Sequence, residues 1–401
     1  MNPNSLAFTV LIGALGALPA LAIDMSLPAL ADMGRAYGVS PAEAALTLSS
    51  FMAGFAIAQL GFGALSERFG RRPILLVGLS LFAASGLAAA FAPTLAAALL
   101  ARFFQGAGAG AGFAMMFAIV RDSFEGAAAR TKLAYVSMVM GVAPMVAPAI
   151  GACVLWLAPW PAIYLVLGAA GLAQLVAIFF GFAESHKSPD LDALSPARLV
   201  GGYARVVLTP VAIGNALVGA SVFGCMFAYI SGSANLMMHL LKLSAFQYAI
   251  TFALSSGAII VGTFVSSRIS RRRLPATIPI WSGLALTLAT SALMVALTLA
   301  HSQAVALYLP LVTLASMGFG LVSPNASHGA LQPLPRLAGV MGATIGFLQM
   351  TSGSLSSGAV ARFDDGVTPW SMAATMMVFS LAAAAIYGLL VRPAERLGQD
   401  R

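Results

Sequence analysis

Charge is the scarcest commodity in this 401-residue chain, where only 8% of residues are Asp, Glu, Lys or Arg, against roughly 25% in soluble globular proteins. A water-soluble domain so poor in charge could not clothe its own surface. Cysteine is nearly absent. Cys153 and Cys225 both fall in apolar runs, which excludes a disulfide-stapled scaffold and marks both thiols as small buried hydrophobes. No Gly-X-Y period links the 40 glycines, which excludes collagen. No strand-flanked glycine loop ending in lysine exists to cradle a nucleotide phosphate. The four histidines, His186, His239, His301 and His328, lie scattered without ligand spacing, so no metal and no other cofactor is expected. The Lys and Arg residues do not gather on a nucleic-acid face, despite a net charge of +8.

Apolar length is what the chain has in abundance. Hydrophobic residues make up 60% of it, and twelve membrane helices of ~20 apolar residues need ~240 such positions. Runs of spanning length occupy 6–29, 43–65, 74–92, 95–119, 133–157 and 161–183, then 207–231, 244–266, 275–299, 303–326, 338–361 and 368–391. The expected fold is therefore an all-α polytopic membrane protein of twelve transmembrane helices. Ala20-Leu21-Ala22 mimics a signal cleavage site, but no Lys or Arg precedes the first run, which reads as a retained helix.

Orientation follows from the basic residues. With both termini in the cytoplasm, seventeen of the 21 Lys and Arg fall in inner loops and tails. Only Arg35, Lys242 and Arg362 fall outside, and Arg102 lies within a span. That asymmetry is the positive-inside rule. The long polar stretch 184–206, opening Glu184-Ser-His-Lys-Ser-Pro-Asp190, divides the spans six and six, giving halves 1–183 and 207–401 around a cytoplasmic linker. Arg68-Phe-Gly-Arg-Arg72 after the second span is echoed by Arg268-Ile-Ser-Arg-Arg272 after the eighth, an offset of 200 residues. Two related six-helix halves describe a carrier that rocks around a central site.

Gly63-Ala-Leu-Ser-Glu67-Arg68-Phe-Gly70-Arg71-Arg72 resembles the loop signature of the major facilitator superfamily, with Glu67 where that signature usually has Asp. Gly63 is expected to let two helices approach, Gly70 to permit a tight reversal, and the arginines to hold the loop at the inner headgroups. The resemblance implies that Glu67 latches onto the start of the eleventh helix near Ala338 and Gly339 when the carrier opens outward. Arg102-Phe-Phe-Gln105-Gly106-Ala-Gly108 resembles the fourth-helix motif of the same superfamily. Gly141 to Gly151, with Pro144 and Pro148, resembles the antiporter motif of its fifth helix, two glycines having become alanines. With Asp24-Met-Ser-Leu-Pro28 in the first helix and Arg121-Asp122 after the fourth, the pattern resembles the Bcr/CflA drug-resistance branch, which includes chloramphenicol- and florfenicol-type exporters.

Two charges stand out inside the spans. Asp24 is the one acid well within a run and Arg102 the one base. Intramembrane charge is costly and defaults to function. Counting Asp24 inward from a helix end near Leu30, and Arg102 from Leu95, places both ~9–10 Å below the outer edge. They read either as a fixed ion pair or as a proton-coupling couple, Asp24 alternating between proton and substrate under the influence of Arg102. Gln105, one turn from Arg102, reads equally as a substrate contact or a bond to a neighbouring helix. Gly106, Gly108, Gly110 and Gly112 read as a helix-packing seam. Phe223, Phe227 and Tyr229, with Phe347, are candidates for an aromatic substrate pocket, and Pro144 and Pro148 are expected to interrupt the fifth helix.

Together these readings describe a proton-coupled antiporter of the bacterial inner membrane, not an enzyme. It would export small, largely apolar drug-like molecules, phenicol-type antibiotics among them. Its partners are the small-molecule substrate, protons and the lipid bilayer, and a monomer suffices. The alternative is a carrier of one metabolite, such as a nucleoside or sugar, which the small number of amides in the spans disfavours.

Overall fold

The computed structural model describes residues 5–124, 126–186, 190–272, 274–300 and 305–399; His301 and linker residues 187–189 lie outside the described residues. All regular elements among the described residues are helical. They are α1 (Leu6–Asp24), α2 (Leu30–Tyr37), α3 (Pro41–Ala44), α4 (Leu46–Phe69), α5 (Arg71–Ala90), α6 (Leu95–Ser123), α7 (Gly126–Leu157) and α8 (Pro161–Gly181). After the linker come α9 (Pro196–Val207), α10 (Pro210–Ala234), α11 (Ala245–Arg271), α12 (Thr277–Leu299), α13 (Tyr308–Leu331), α14 (Ala338–Arg362), α15 (Trp370–Ile386) and α16 (Arg392–Gln399). Short π-helical turns at Asn235–Leu240 and Tyr387–Val391 extend α10 and join α15 to α16.

Among the described residues, eleven helical stretches are long and apolar enough to cross a membrane. The expected twelfth is α14, whose 25 residues have the length but whose Gln349–Gly358 segment is mostly Gly, Ser and Thr. The apolar side chains of the other helices need an apolar solvent: Trp156 is 85% and Phe180 81% exposed, an arrangement that only lipid tolerates. Cys153 is exposed as well, which corrects the expectation that both cysteines are buried; only Cys225 is.

Three boundaries differ from the sequence-based expectation. The first span does not end near Leu30 but runs from Leu6 to Tyr37, broken after Asp24 by a turn and a 3-10 segment at Leu27–Ala29. The 184–206 linker is not wholly loop, because α9 is an amphipathic helix burying Gly202 and Val206. Pro144 and Pro148 do not interrupt α7, which is continuous over 32 residues. A proline removes one hydrogen bond and bends a helix, and neighbouring helices in a membrane protein absorb that loss.

The chain divides into two compact units, Met1–Tyr37 with Ser50–Val200, and Gly38–Ser49 with Gly201–Arg401. In the first, α1 lies against α6 and α7, and α5 against α6 and α8. In the second, α10 is the central helix, touching α13, α14 and α15, and α13 also carries α11 and α12. Its core gathers Val218, Val222, Ile280, Leu284, Val322 and Tyr387.

Candidate functional site

The break in the first span builds the site. Pro28 has no N–H to give, and the Ser26 N–H turns to the Ile23 carbonyl at 3.3 Å. In a continuing helix that N–H would occupy the Ala22 carbonyl. The freed Ala22 carbonyl instead accepts Arg102 Nη2 at 2.9 Å. Arg102 Nη1 donates to Gln105 Oε1 at 2.7 Å, and the guanidinium lies 4.4 Å from the Phe51 ring centre and 5.4 Å from that of Tyr164. Arg102 and Gln105 are fully buried. A cation at the carboxyl end of a helix is well placed against the macrodipole, so Arg102 caps α1 from another helix.

Asp24 is the last residue of α1 and is 4% exposed. No ion pair among the described residues includes it, so the fixed Asp24–Arg102 pair is not formed. The guanidinium is committed instead to a backbone carbonyl two residues before the acid. Equal depth counted from Leu30 does not survive either, since the span continues to Tyr37, whose hydroxyl donates to the Ala92 carbonyl at 3.2 Å. Arg102 still reaches the turn that carries Asp24, through Ala22. Gln105 belongs to this group as a positioning residue for Arg102, its Nε2 buried without a hydrogen-bond partner beside Gly86 and Gly168.

Glycines make the close approach possible. A Cβ on Gly106 would run into the Phe51 carbonyl, and one on Gly54 into the Phe103 carbonyl, so α4 and α6 cross backbone to backbone. A Cβ on Gly108 would lie 2.6 Å from the Phe82 nitrogen on α5. One on Gly151 would strike the Met25 carbonyl, so α7 rests directly on the break, three residues beyond buried Pro148; Pro144 is half-buried one turn earlier.

The loop between α4 and α5 forms a second polar cluster. Arg71 is 1% exposed and is bonded on every side. Its Nε donates to Asp122 Oδ2 at 2.9 Å, Nη2 to Glu67 Oε1 at 2.8 Å and Nη1 to Ser66 Oγ at 2.5 Å. Arg121 Nη2 adds a 3.4 Å contact to Glu67. Gly70 sits at φ 95°, a conformation glycine adopts freely. Without a side chain it cannot cap α5, and Glu184 does so instead, accepting the Arg71 and Arg72 N–H groups at 2.9 and 3.0 Å. His186 Nε2 lies 3.0 Å from the Glu67 carbonyl oxygen, and Arg72 Nη2 donates to the Phe179 carbonyl at 2.7 Å. Arg68 stays over Phe69, 5.5 Å from the ring centre. Gly63 meets nothing within 4 Å, so the close approach expected of it is not made. Ser66, Glu184 and His186 are the partners that sequence reasoning missed; Glu184 alone had a signal, as the first acid of the linker.

The aromatic candidates separate. Phe223 and Phe227 pair at 4.7 Å between ring centres, with Phe319 at 6.2 Å from Phe223. Tyr229 stacks on Phe252 at 6.0 Å. Phe347 is half-buried on α14 and joins no ring pair among the described residues. No group of three metal-ligating residues occurs among the described residues.

These features can be set beside known proteins. The sequence profile of the Major Facilitator Superfamily matches residues 12–361. The chain belongs to the Major Facilitator Superfamily. Membership makes it a membrane transporter of small molecules rather than an enzyme. The Bicyclomycin resistance protein homolog of Haemophilus influenzae is 24% identical, covering 96% of this chain and 95% of that protein. The Multidrug resistance protein MdtL of Escherichia coli is 27% identical, covering 92% and 90%. Among solved structures, an inward-facing, occupied bacterial homolog of the human lysosomal transporter Spinster aligns over 99% of this chain and 98% of its own, with a TM-score of 0.72 at 15% identity. The xylose transporter XylE from E. coli aligns over 96% and 97%, with a TM-score of 0.69 at 13% identity. At these identities the structures speak for the superfamily fold alone.

Proposed function

We propose that this superfamily member is a proton-coupled antiporter of the bacterial inner membrane, with both termini in the cytoplasm, that exports small, largely apolar drug-like molecules. The observation that carries the reading is Asp24, a buried acid that no ion pair among the described residues includes, at a helix break whose freed carbonyl is held by Arg102. A carboxyl in such a place can exist neutral or charged, and the backbone at a break can move to suit either. Protonated Asp24 releases substrate to the outside. Its return to the charged form, with the proton leaving to the cytoplasm, readmits substrate from within. The two six-helix halves, 1–183 and 207–401, would work by alternating access as one monomer, with residues 184–206 as the linker. Resistance proteins among the relatives favour drugs as the cargo, and phenicol-type antibiotics are natural first ligands to try. Phe223, Phe227 and Phe347 are the proposed aromatic contacts, and Glu67 the conformational latch.

The test is substrate-induced proton release from detergent-solubilised protein between pH 6 and 9, read beside drug susceptibility of expressing cells. Asp24→Asn should be folded and inserted, release no protons, and confer no resistance. If the variant still releases protons and protects cells, the coupling acid is not Asp24.

A further inference from the structure

The two copies of the arginine loop differ at their second arginine, which acids bury in the first copy and which stands bare in the second. Arg68, Arg71 and Arg72 stand 200 residues before Arg268, Arg271 and Arg272. In the first copy, acids neutralise the buried Arg71, while Arg68 stays over Phe69 and the Arg72 guanidinium donates to the Phe179 carbonyl. Arg71 is buried on Glu67 and Asp122, and the α5 end is capped by Glu184. In the second copy, Ser267 stands where Glu67 does, and Ser266, the counterpart of Ser66, accepts a 2.6 Å hydrogen bond from Asn325. Arg268, Arg271 and Arg272 are exposed, and among the described residues none of them has an acid partner.

Their direction is set by α11. Leu254 (66%), Val261 (51%) and Phe264 (55%) form an exposed apolar stripe at helical spacing, and such side chains face the bilayer. Arg268 follows Phe264 by one turn, and Arg271 and Arg272 by a further turn, on that same face. The Arg268 guanidinium lies 4.9 Å from the Phe264 ring centre. Three cations therefore continue a lipid-facing stripe at the level where acyl chains give way to phosphates. Arginine suits that place, since its planar fork matches phosphate oxygens in pairs.

We infer that the inner end of α11 is a binding site for the phosphate headgroup of an anionic phospholipid of the inner leaflet, held by Arg268, Arg271 and Arg272. The lipid occupies in the second unit the role that Glu67, Asp122 and Glu184 fill in the first. The inference rests on the orientation read from the basic residues, and its outcome is independent of proton coupling.

The test is native mass spectrometry of the full chain in mixed micelles containing phosphatidylglycerol or phosphatidylcholine, with inorganic phosphate in a third arm. Wild type should retain phosphatidylglycerol in preference to phosphatidylcholine, and inorganic phosphate should not displace it at equal concentration. Each arginine removed should weaken retention roughly fivefold, from the usual contribution of a basic residue near an anionic surface. Arg268→Gln with Arg271→Gln and Arg272→Gln should lose the preference, and the three lysine substitutions should keep part of it. Arg35→Gln with Arg362→Gln, the same kind of change near the opposite ends of the helices, should leave it intact. Should the triple glutamine variant fail to insert, Arg268→Gln alone still tests the fivefold loss. Undiminished phosphatidylglycerol retention by these variants, or equal displacement by inorganic phosphate, overturns the site.

Discussion

Replacing Arg102 separates what its guanidinium gives the fold from what it gives turnover. Methionine at 102 would leave the Ala22 carbonyl and Gln105 Oε1 buried without the donors now at 2.9 and 2.7 Å. Each orphaned group costs ~1–3 kcal/mol, or about 2–6 kcal/mol for the pair. Against this, methionine removes a fully buried cation, whose effective desolvation penalty is on the order of several kcal/mol. The terms nearly cancel, so Arg102→Met should shift global stability by no more than ~2 kcal/mol. Lysine is the worse substitution. It keeps the desolvated charge, but a single ammonium cannot span both acceptors as the fork does. The expected order of thermal unfolding midpoints in detergent is wild type, then methionine, then lysine. Methionine should abolish drug resistance, with lysine restoring a fraction at most. A lysine variant as stable as wild type, beside a methionine variant that unfolds, would refute the capping argument and make charge alone the requirement.

Gly106→Ala places a Cβ against the Phe51 carbonyl and should cost ~1–3 kcal/mol or more from overpacking, whereas Gly63→Ala meets open space and should gain up to ~1 kcal/mol in helix propensity; fluorescence-detected size exclusion after heating distinguishes the two. Glu184→Gln exchanges a charged cap on two N–H groups for a neutral one and should cost ~0.5–1 kcal/mol, seen as a lower unfolding midpoint in detergent with transport retained. Burial and the neighbouring Asp365 charge push the Asp364 carboxyl above its ordinary pKa, so its charged form is a liability at neutral pH and its protonation favours the folded state. Asp364→Asn should therefore raise the unfolding midpoint near pH 7, an advantage that fades as pH falls through the raised pKa towards the ordinary Asp range; a constant difference across that window would contradict the assignment.

The all-helical membrane fold was legible because it is written in composition, whereas the superfamily was legible only through the resemblance of the Gly63–Arg72 loop. The long apolar runs needed only hydropathy and helix length. Asp24 and Arg102 were legible as the two charges that lipid should not hold. Their relation was not. Counting residues assumes a regular helix, and Pro28 with the Ser26 turn breaks α1 just where the count begins. Pattern also gives no sign of which carbonyl a break sets free, so Ala22 was invisible beforehand. Asp32 and Arg35 made α2 look like loop, although it continues the first span. Glu184 was hidden by distance, since a cap normally comes from the residue preceding its helix, whereas this one comes from 113 positions away.

The composition of α14 bears on how the protein is made. A segment so rich in Gly, Ser and Thr gains little on its own by leaving the translocation channel for lipid. By the time it is synthesised, however, α10 is already in the membrane, and the Ser356 hydroxyl can donate a hydrogen bond to the Gly224 carbonyl of that helix at 2.6 Å. Integration of α14 then depends on a helix made more than a hundred residues earlier. Biogenesis of the second unit is thus a cooperative event, in which damage to α10 appears first as a missing crossing elsewhere in the chain.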